Sequence, residues 1–286
     1  MNGEWKLARR VLHYGGRTLV MGVLNVTPDS FSDGGQFCDQ ERAVSRAEEM
    51  LAEGADILDV GGESTRPGGA PVSAEEEIRR VIPVIEALAG NISAPISVDT
   101  TKARVARAAL EAGAEIVNDI SGLRFDPALA DEAARAGAGL VLMHSRGGRE
   151  TMHALRPVPD IWAEVTEGLR RQLAEAERRG VGRAQLALDP GIGFGKSQEQ
   201  NLELVARLDR LGREFPGFPI LVGTSRKSFI GRLLGGAPAE ERLQGTMATV
   251  TAAVLRGAHI VRVHDVRATV ETVRVADALR QAARDE

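Results

Sequence analysis

Cysteine occurs once in the chain, at Cys38, which leaves no internal disulfide and no cysteine-based metal site. No apolar run reaches the roughly 18 residues of a membrane span. No charged-then-apolar leader opens the sequence either, so a cytoplasmic protein with no membrane partner is expected. Basic blocks are also missing. The net charge is −4 and the sequence pI about 5.9, which argues against a nucleic-acid surface but leaves room for a local anion site. Aromatic residues make up only 3%. Lysine is nearly absent: of 36 basic residues 32 are arginine, and lysine stands only at Lys6, Lys102, Lys196 and Lys227. Three of those four fall just beyond expected strands, and a compact ammonium there is not interchangeable with a planar guanidinium.

Against these absences stands a regular alternation. Short apolar runs at Leu19–Leu24, Ile57–Val60, Ile96–Val98, Ile116–Val117, Gly139–Met143, Gln185–Leu188, Ile220–Val222 and Ile260–Val263 read as strands. Stretches with apolar spacings of three and four lie between them. The clearest are Glu41–Glu53, Ala74–Ala89, Ala103–Ala112, Ile161–Arg179 and Leu202–Phe215, several closed by a glycine. Alternating strands and helices imply parallel strands with crossover helices. Eight such rounds in 286 residues favour a single-domain α/β (β/α)8 TIM barrel over an open sheet, since that barrel needs about 250 residues. No linker divides residues 1–286. Tyr14-Gly15-Gly16, between two apolar stretches, suggests a β-hairpin closing the bottom of the barrel.

In such a barrel the site forms from loops at the carboxyl ends of the strands, and there polar residues recur. The first strand runs into Asn25-Val26-Thr27-Pro28-Asp29-Ser30, and the second into Asp59-Val60-Gly61-Gly62-Glu63-Ser64-Thr65-Arg66-Pro67-Gly68. The third delivers Asp99, the fourth Asn118 and Asp119, and the fifth Met143 and His144. The last three give Asp189-Pro190-Gly191-Ile192-Gly193-Phe194-Gly195-Lys196, Gly223-Thr224-Ser225-Arg226-Lys227, and Arg262-Val263-His264. Gly195-Lys196-Ser197 imitates a phosphate loop, but Pro190 stands where a Walker motif needs its first glycine. That spacing excludes a Walker loop.

The segments Met21–Gly35, Asp59–Gly68, Asp189–Lys196 and Gly223–Gly231 closely resemble the motifs of dihydropteroate synthases, in the same order, over roughly residues 18–270. The resemblance implies condensation of 6-hydroxymethyl-7,8-dihydropterin diphosphate with p-aminobenzoate, giving 7,8-dihydropteroate and pyrophosphate in folate synthesis. It implies that Asp99, Asn118 and Asp189 read the pterin edge, beside Met143, with Lys227 against the ring. Arg262 and His264 would bind the diphosphate, and Asn25 would contact Mg2+ through its side-chain oxygen. One neutral amide oxygen is a poor magnesium site by itself, so binding should depend on the diphosphate. Thr65, Arg66, Phe194 and Ser225 would serve p-aminobenzoate, with Arg66, Asp99, Lys227, Arg262 and His264 as the catalytic group. A homodimer is implied by the family only.

Blander readings stand beside these. Asp119 suits capping of a following helix, Lys196 and Lys102 fit local charges as well as functional ones, and Phe194 is equally a packing residue. His13, His153 and His259 have no partner pattern. Two rival functions remain open. A pterin-binding methyltransferase would share Asp99, Asn118 and Asp189 but would leave Thr65-Arg66-Pro67 and Ser225-Arg226-Lys227 unexplained. A catalytically silent ligand-binding homologue would be expected to lose the charged loop residues present here. Residues 27–37 and 63–70, rich in glycine, proline and small polar residues, are expected to close over bound substrates.

Overall fold

The computed structural model describes residues 3–26, 35–63, 72–148, 151 and 155–283. Its strands are β1 (Gly3–Lys6), β2 (Val11–Tyr14), β3 (Leu19–Asn25), β4 (Ile57–Gly61), β5 (Ile96–Asp99), β6 (Ile116–Asp119), β7 (Gly139–Met143), β8 (Leu186–Asp189), β9 (Leu221–Val222) and β10 (Ile260–Val263). The helices are α1 (Gly35–Ala52), α2 (Ala74–Ala89), α3 (Ala103–Ala112), α4 (Leu129–Ala136), α5 (Ile161–Arg178), α6 (Gln198–Ala206), α7 (Asp209–Glu214), α8 (Ser228–Leu233), α9 (Leu243–Leu255) and α10 (Val266–Ala282). Strands β3 to β10 form one eight-stranded parallel sheet in the order β8-β7-β6-β5-β4-β3-β10-β9. A parallel bridge between Leu188 and Ile220 joins its two ends, closing the expected (β/α)8 barrel.

Strands buried on both faces read as continuous apolar runs, and their side-chain period of two sorts residues between two cores. Leu19, Met21, Ile57, Ile116, Val141, Ala187, Leu221 and Ile260 point inward and form the floor of the barrel. Val20, Leu24, Leu58, Val60, Val98, Val117, Leu140, Leu142 and Val261 point outward and pack beneath the helices. Continuing the inward parity toward the carboxyl ends brings Asp59, Asp99, Asn118, Met143, Asp189 and Arg262 to one axis. Alternation along the strands therefore selects the site before any loop is considered.

The hairpin β1–β2 buries Trp5, Leu7 and Tyr14 against that floor. Trp5 Nε1 donates to the Gln185 carbonyl at 2.8 Å, and Tyr14 Oη to that of Gly217 at 3.0 Å. The hairpin is where it was expected, but its turn is not at Tyr14-Gly15-Gly16. The strands reverse at Leu7–Arg10, where the Leu7 N–H meets the Arg10 carbonyl at 2.8 Å. Arg10 there pairs with the buried Glu115 at 2.7 Å. Gly15, at φ 93°, instead turns the chain from the hairpin toward β3.

A second correction concerns Leu202–Phe215, which is two helices, α6 and α7, rather than one. The chain leaves helical geometry at Arg207 (φ −123°). Leu204, Val205, Leu208 and Leu211 all enter the outer core, at the one-face spacing that makes the segment read as a single helix. Among the described residues no helix is long and apolar enough to cross a membrane.

Candidate active site

The centre of the mouth is an ion-pair network. Arg262 donates through Nε to Asp59 Oδ2 at 2.6 Å and through Nη2 to Asp99 Oδ2 at 2.7 Å. Asn118 Nδ2 donates to the same Asp59 oxygen at 3.0 Å. Burial pushes the Asp99 carboxyl up to about 7; Arg262 opposes the rise and Asp59 adds to it. Burial opposes the charge of Arg262 too, yet Asp59 and Asp99 outweigh it and hold the guanidinium above its ordinary value. Asp189 accepts the Gly191 N–H at 2.6 Å. Burial still raises its carboxyl to about 6.

Met143, Phe194 and Ile120 form a small apolar cluster on the same side of the mouth. The Lys227 ammonium sits 4.0 Å from the centroid of the Phe194 ring, in cation–π range. Burial, then the charge of Arg262, lowers Lys227 to about 8. An added Cβ at Gly193 would meet Lys227 Cδ at 3.1 Å, so the loop after β8 passes close to this side chain. Arg226 adopts φ 59°, in the left-handed region. The reversal lets Ser225 face His264 and Lys227 face Phe194. Arg226 itself turns to Asp265, 3.0 Å from its Nε.

Ser225 Oγ accepts the His264 backbone N–H at 3.2 Å and lies 3.0 Å from His264 Nδ1. In the tautomer where the hydroxyl donates to Nδ1, the ring carries its proton on Nε2 and offers it toward the mouth. Burial, followed by Arg262, Arg226 and Lys227, lowers His264 to about 3, so the ring is neutral near pH 7. Asn25 ends β3 at inward parity. An added Cβ at Gly61 would come within 3.8 Å of Asn25 Oδ1 and 3.9 Å of Asp99 Oδ2, so the missing side chain leaves those oxygens bordering one open space.

Of the sequence-derived candidates, Asn25, Asp99, Asn118, Met143, Asp189, Phe194, Ser225, Lys227, Arg262 and His264 thus gather at the carboxyl ends of the strands. Thr65, Arg66 and most of the 27–37 and 63–70 segments lie outside the described residues. Asp119 points outward and accepts from Ser121 and Leu123 N–H groups at 2.8 and 2.6 Å, a local cap. His144, one step beyond inward-facing Met143, turns away toward α5 and a separate cleft of about 530 Å³. Lys196 is structural: its ammonium donates to the carbonyls of His144, Gly191 and Phe194 at 3.1, 2.8 and 3.1 Å. Sequence reasoning gave Asp59 no role. Its signal was a charged residue at inward parity within an otherwise apolar strand.

A family profile described as pterin binding enzyme matches residues 21–264. The chain is 49% identical to the dihydropteroate synthase of Synechocystis sp. over 96% of this chain and 94% of that protein. This chain belongs to the pterin-binding enzymes, among the dihydropteroate synthases. Two solved structures share the barrel. A Yersinia pestis dihydropteroate synthase with a sulfonamide drug complex superposes with TM-score 0.90 at 40% identity, covering 97% of this chain and 99% of that one. The Burkholderia cenocepacia enzyme complexed with 7,8-dihydropteroate gives 0.88 at 42% identity, covering 99% of each.

Proposed function

We propose that the barrel mouth condenses 6-hydroxymethyl-7,8-dihydropterin diphosphate with p-aminobenzoate, releasing 7,8-dihydropteroate and pyrophosphate. The reaction is that of a transferase in folate synthesis. The observation that carries it is the convergence of Asp99, Asn118, Asp189 and Lys227 with Arg262 and His264 at one end of one barrel. Carboxylates at 99 and 189 accept from the ring N–H and amino donors of a pterin, and Asn118 offers its amide beside them. Met143 and Phe194 supply the apolar wall.

Arg262 gives permanent positive charge and His264 a neutral Nε2–H donor for the departing diphosphate. The methylene C–O bond breaks as the diphosphate leaves, and the pterin ring delocalises the resulting cation. The neutral arylamine nitrogen attacks that carbon, the C–N bond forms, and the nitrogen proton passes to solvent. No covalent enzyme intermediate is required, so the protein's part is positioning and charge stabilisation. Thr65, Arg66 and Ser225 are the residues proposed for p-aminobenzoate.

Magnesium belongs to this reading with Asn25 Oδ1 as its protein ligand, and when bound it supplies further charge neutralisation for the leaving group. Among the described residues no cluster of three or more His, Cys, Asp or Glu could hold a metal. The hard oxygen of Asn25 beside the open space at Gly61 fits a cation whose remaining ligands are diphosphate and water.

A homodimer is also part of the proposal. The outer helices expose Leu233, Leu234, Leu255, Val275 and Leu279, each at least 45% accessible, and Val275 and Leu279 share one face of α10. So are a single domain over 1–286 and a cytoplasmic location. Incubating the protein with pterin diphosphate, p-aminobenzoate and magnesium should release pyrophosphate only when all three are present. Methyl transfer instead, or no turnover, would overturn the reading.

A further inference from the structure

We propose that Asp59 is a positioning residue for this reaction, clamping Arg262 and Asn118 together from beneath the substrate. The inference rests on the function proposed above. Asp59 is fully buried on the barrel axis, so no substrate reaches it directly. Its role must be exerted through its neighbours.

The register shows why Arg262 needs such a clamp. Arg262 lies opposite Met21, and Met21 opposite Ile57, whereas Asp99 lies opposite Gly61. Arg262 lies one inward step beyond the floor residue Ile260, as Asp59 lies one step beyond Ile57, so a long, rotamer-rich side chain must be held as it runs from the layer of Asp59 toward Asp99 at the mouth. The described structure gives the guanidinium two carboxylates, Asp59 at its Nε edge and Asp99 at Nη2. If Asp99 turns to the donors of a bound pterin, the second contact is lost and Asp59 alone keeps Arg262 in place. Nη groups are then free for the leaving group while Nε remains held.

The same Asp59 oxygen accepts from Asn118 Nδ2. A carboxylate only accepts, so it fixes the amide with its nitrogen downward and its Oδ1 available as an acceptor. Asp59 is thus a shared anchor for a charge-stabilising group and a recognition group on opposite sides of the barrel.

The test is a double-mutant cycle in the full chain, using pyrophosphate release, calorimetry of the pterin diphosphate and thermal melting. Wild-type turnover is established first, since its absence would overturn the functional reading rather than this one. Asp59→Asn should lower kcat by about tenfold or more while the KM for p-aminobenzoate stays within about twofold. In an Arg262→Gln background the same change should cost less than about twofold further, because the clamp has nothing left to hold. Additive losses, or wild-type kcat in Asp59→Asn, would overturn the proposal. Should Asp59→Asn fail to fold, Arg262→Lys supplies the decision. It keeps the charge but cannot pair Asp59 and the mouth through separate nitrogens of a rigid fork. A drop in kcat with normal melting supports the clamp, and wild-type kcat overturns it.

Discussion

The Lys227 ammonium and the Phe194 ring meet at 4.0 Å across the mouth, joining the loop after β9 to the loop after β8. Each side chain limits the other's rotamers, and both border the Met143 cluster proposed to hold the pterin. Lys227→Ala removes a cation and a stacking partner at once. Losing a charge-assisted hydrogen bond costs about 1.5–3 kcal/mol, so pterin affinity should fall roughly ten- to hundredfold. Phe194→Leu should cost about two- to thirtyfold, since the cation–π share is about 0.5–2 kcal/mol. Calorimetric titration of the pterin ranks the two. A ring substitution that hurts more than the lysine substitution would reverse the assigned roles.

Binding and stability should respond to pH in opposite directions. Burial lifts Asp99 to about 7 and Asp189 to about 6, both from 3.8. An ionised carboxylate accepts from pterin donors through both oxygens, whereas the protonated form turns one of them into a donor, so affinity should rise between about pH 5 and pH 8. For folding the sign is reversed, because a raised carboxyl binds protons more tightly in the folded chain and its contribution falls as pH rises through about 4 to 7. Lys227 and Lys196 are lowered from 10.5 to about 8 and about 7, so their contributions recover above those values. The empty site therefore costs most near neutral pH. Asp99→Asn should lose pterin affinity at pH 8 yet melt no lower than the parent there, with its relative gain shrinking at pH 5. Melting several degrees below the parent at pH 8 would show the Asp99–Arg262 pair to be net stabilising.

Lys196 is assigned the opposite character, structure without substrate contact. Its three carbonyl partners fasten the Gly191–Phe194 turn to the end of β7. Lys196→Met leaves those acceptors unmatched at about 1–3 kcal/mol, a drop of several degrees at about 2–4 °C per kcal/mol for a chain of this class. Steady-state kinetics below the melting transition should show pterin KM within about threefold of wild type. Loss of kcat without loss of stability would return Lys196 to the reacting groups.

The barrel was legible because strands buried on both faces leave uninterrupted apolar runs, and the inward parity of Asp99, Asn118, Asp189 and Arg262 follows from counting by twos. Other features were hidden for physical reasons. The hairpin turn at Leu7–Arg10 has no glycine or proline to mark it, and its arginines are explained by Glu115, more than a hundred residues away. Asp59 stood in the polar run of the second strand without a role, since its partners come from β6 and β10. Lys196 and Lys102 sat at the same kind of loop position in sequence, and only their acceptors show that carbonyls satisfy one and carboxylates the other.

Lys102 sits between two buried carboxylates. Its ammonium donates to Glu63 at 2.6 Å and also to Glu77, and these carboxylate side chains are only 7% and 1% exposed. Glu63 in turn accepts the Val72 backbone N–H at 2.7 Å. Glu63 and Val72 flank positions 64–71 in the chain, so this one network ties together both ends of the segment that carries Thr65 and Arg66. Removing one partner of a buried ion pair costs about 3–5 kcal/mol, because the remaining charge stays buried. Lys102→Met should therefore lower the melting temperature by roughly 10 °C. At temperatures where the variant remains folded, the KM for p-aminobenzoate should rise more than the dissociation constant of the pterin, whose contacts lie on other strands. Lys102→Arg should recover part of the stability, and less of the p-aminobenzoate KM, because a planar fork cannot occupy the position of a compact ammonium between two carboxylates. Equal effects on the two substrates would mean that the network supports the barrel as a whole and has no particular hold on that segment.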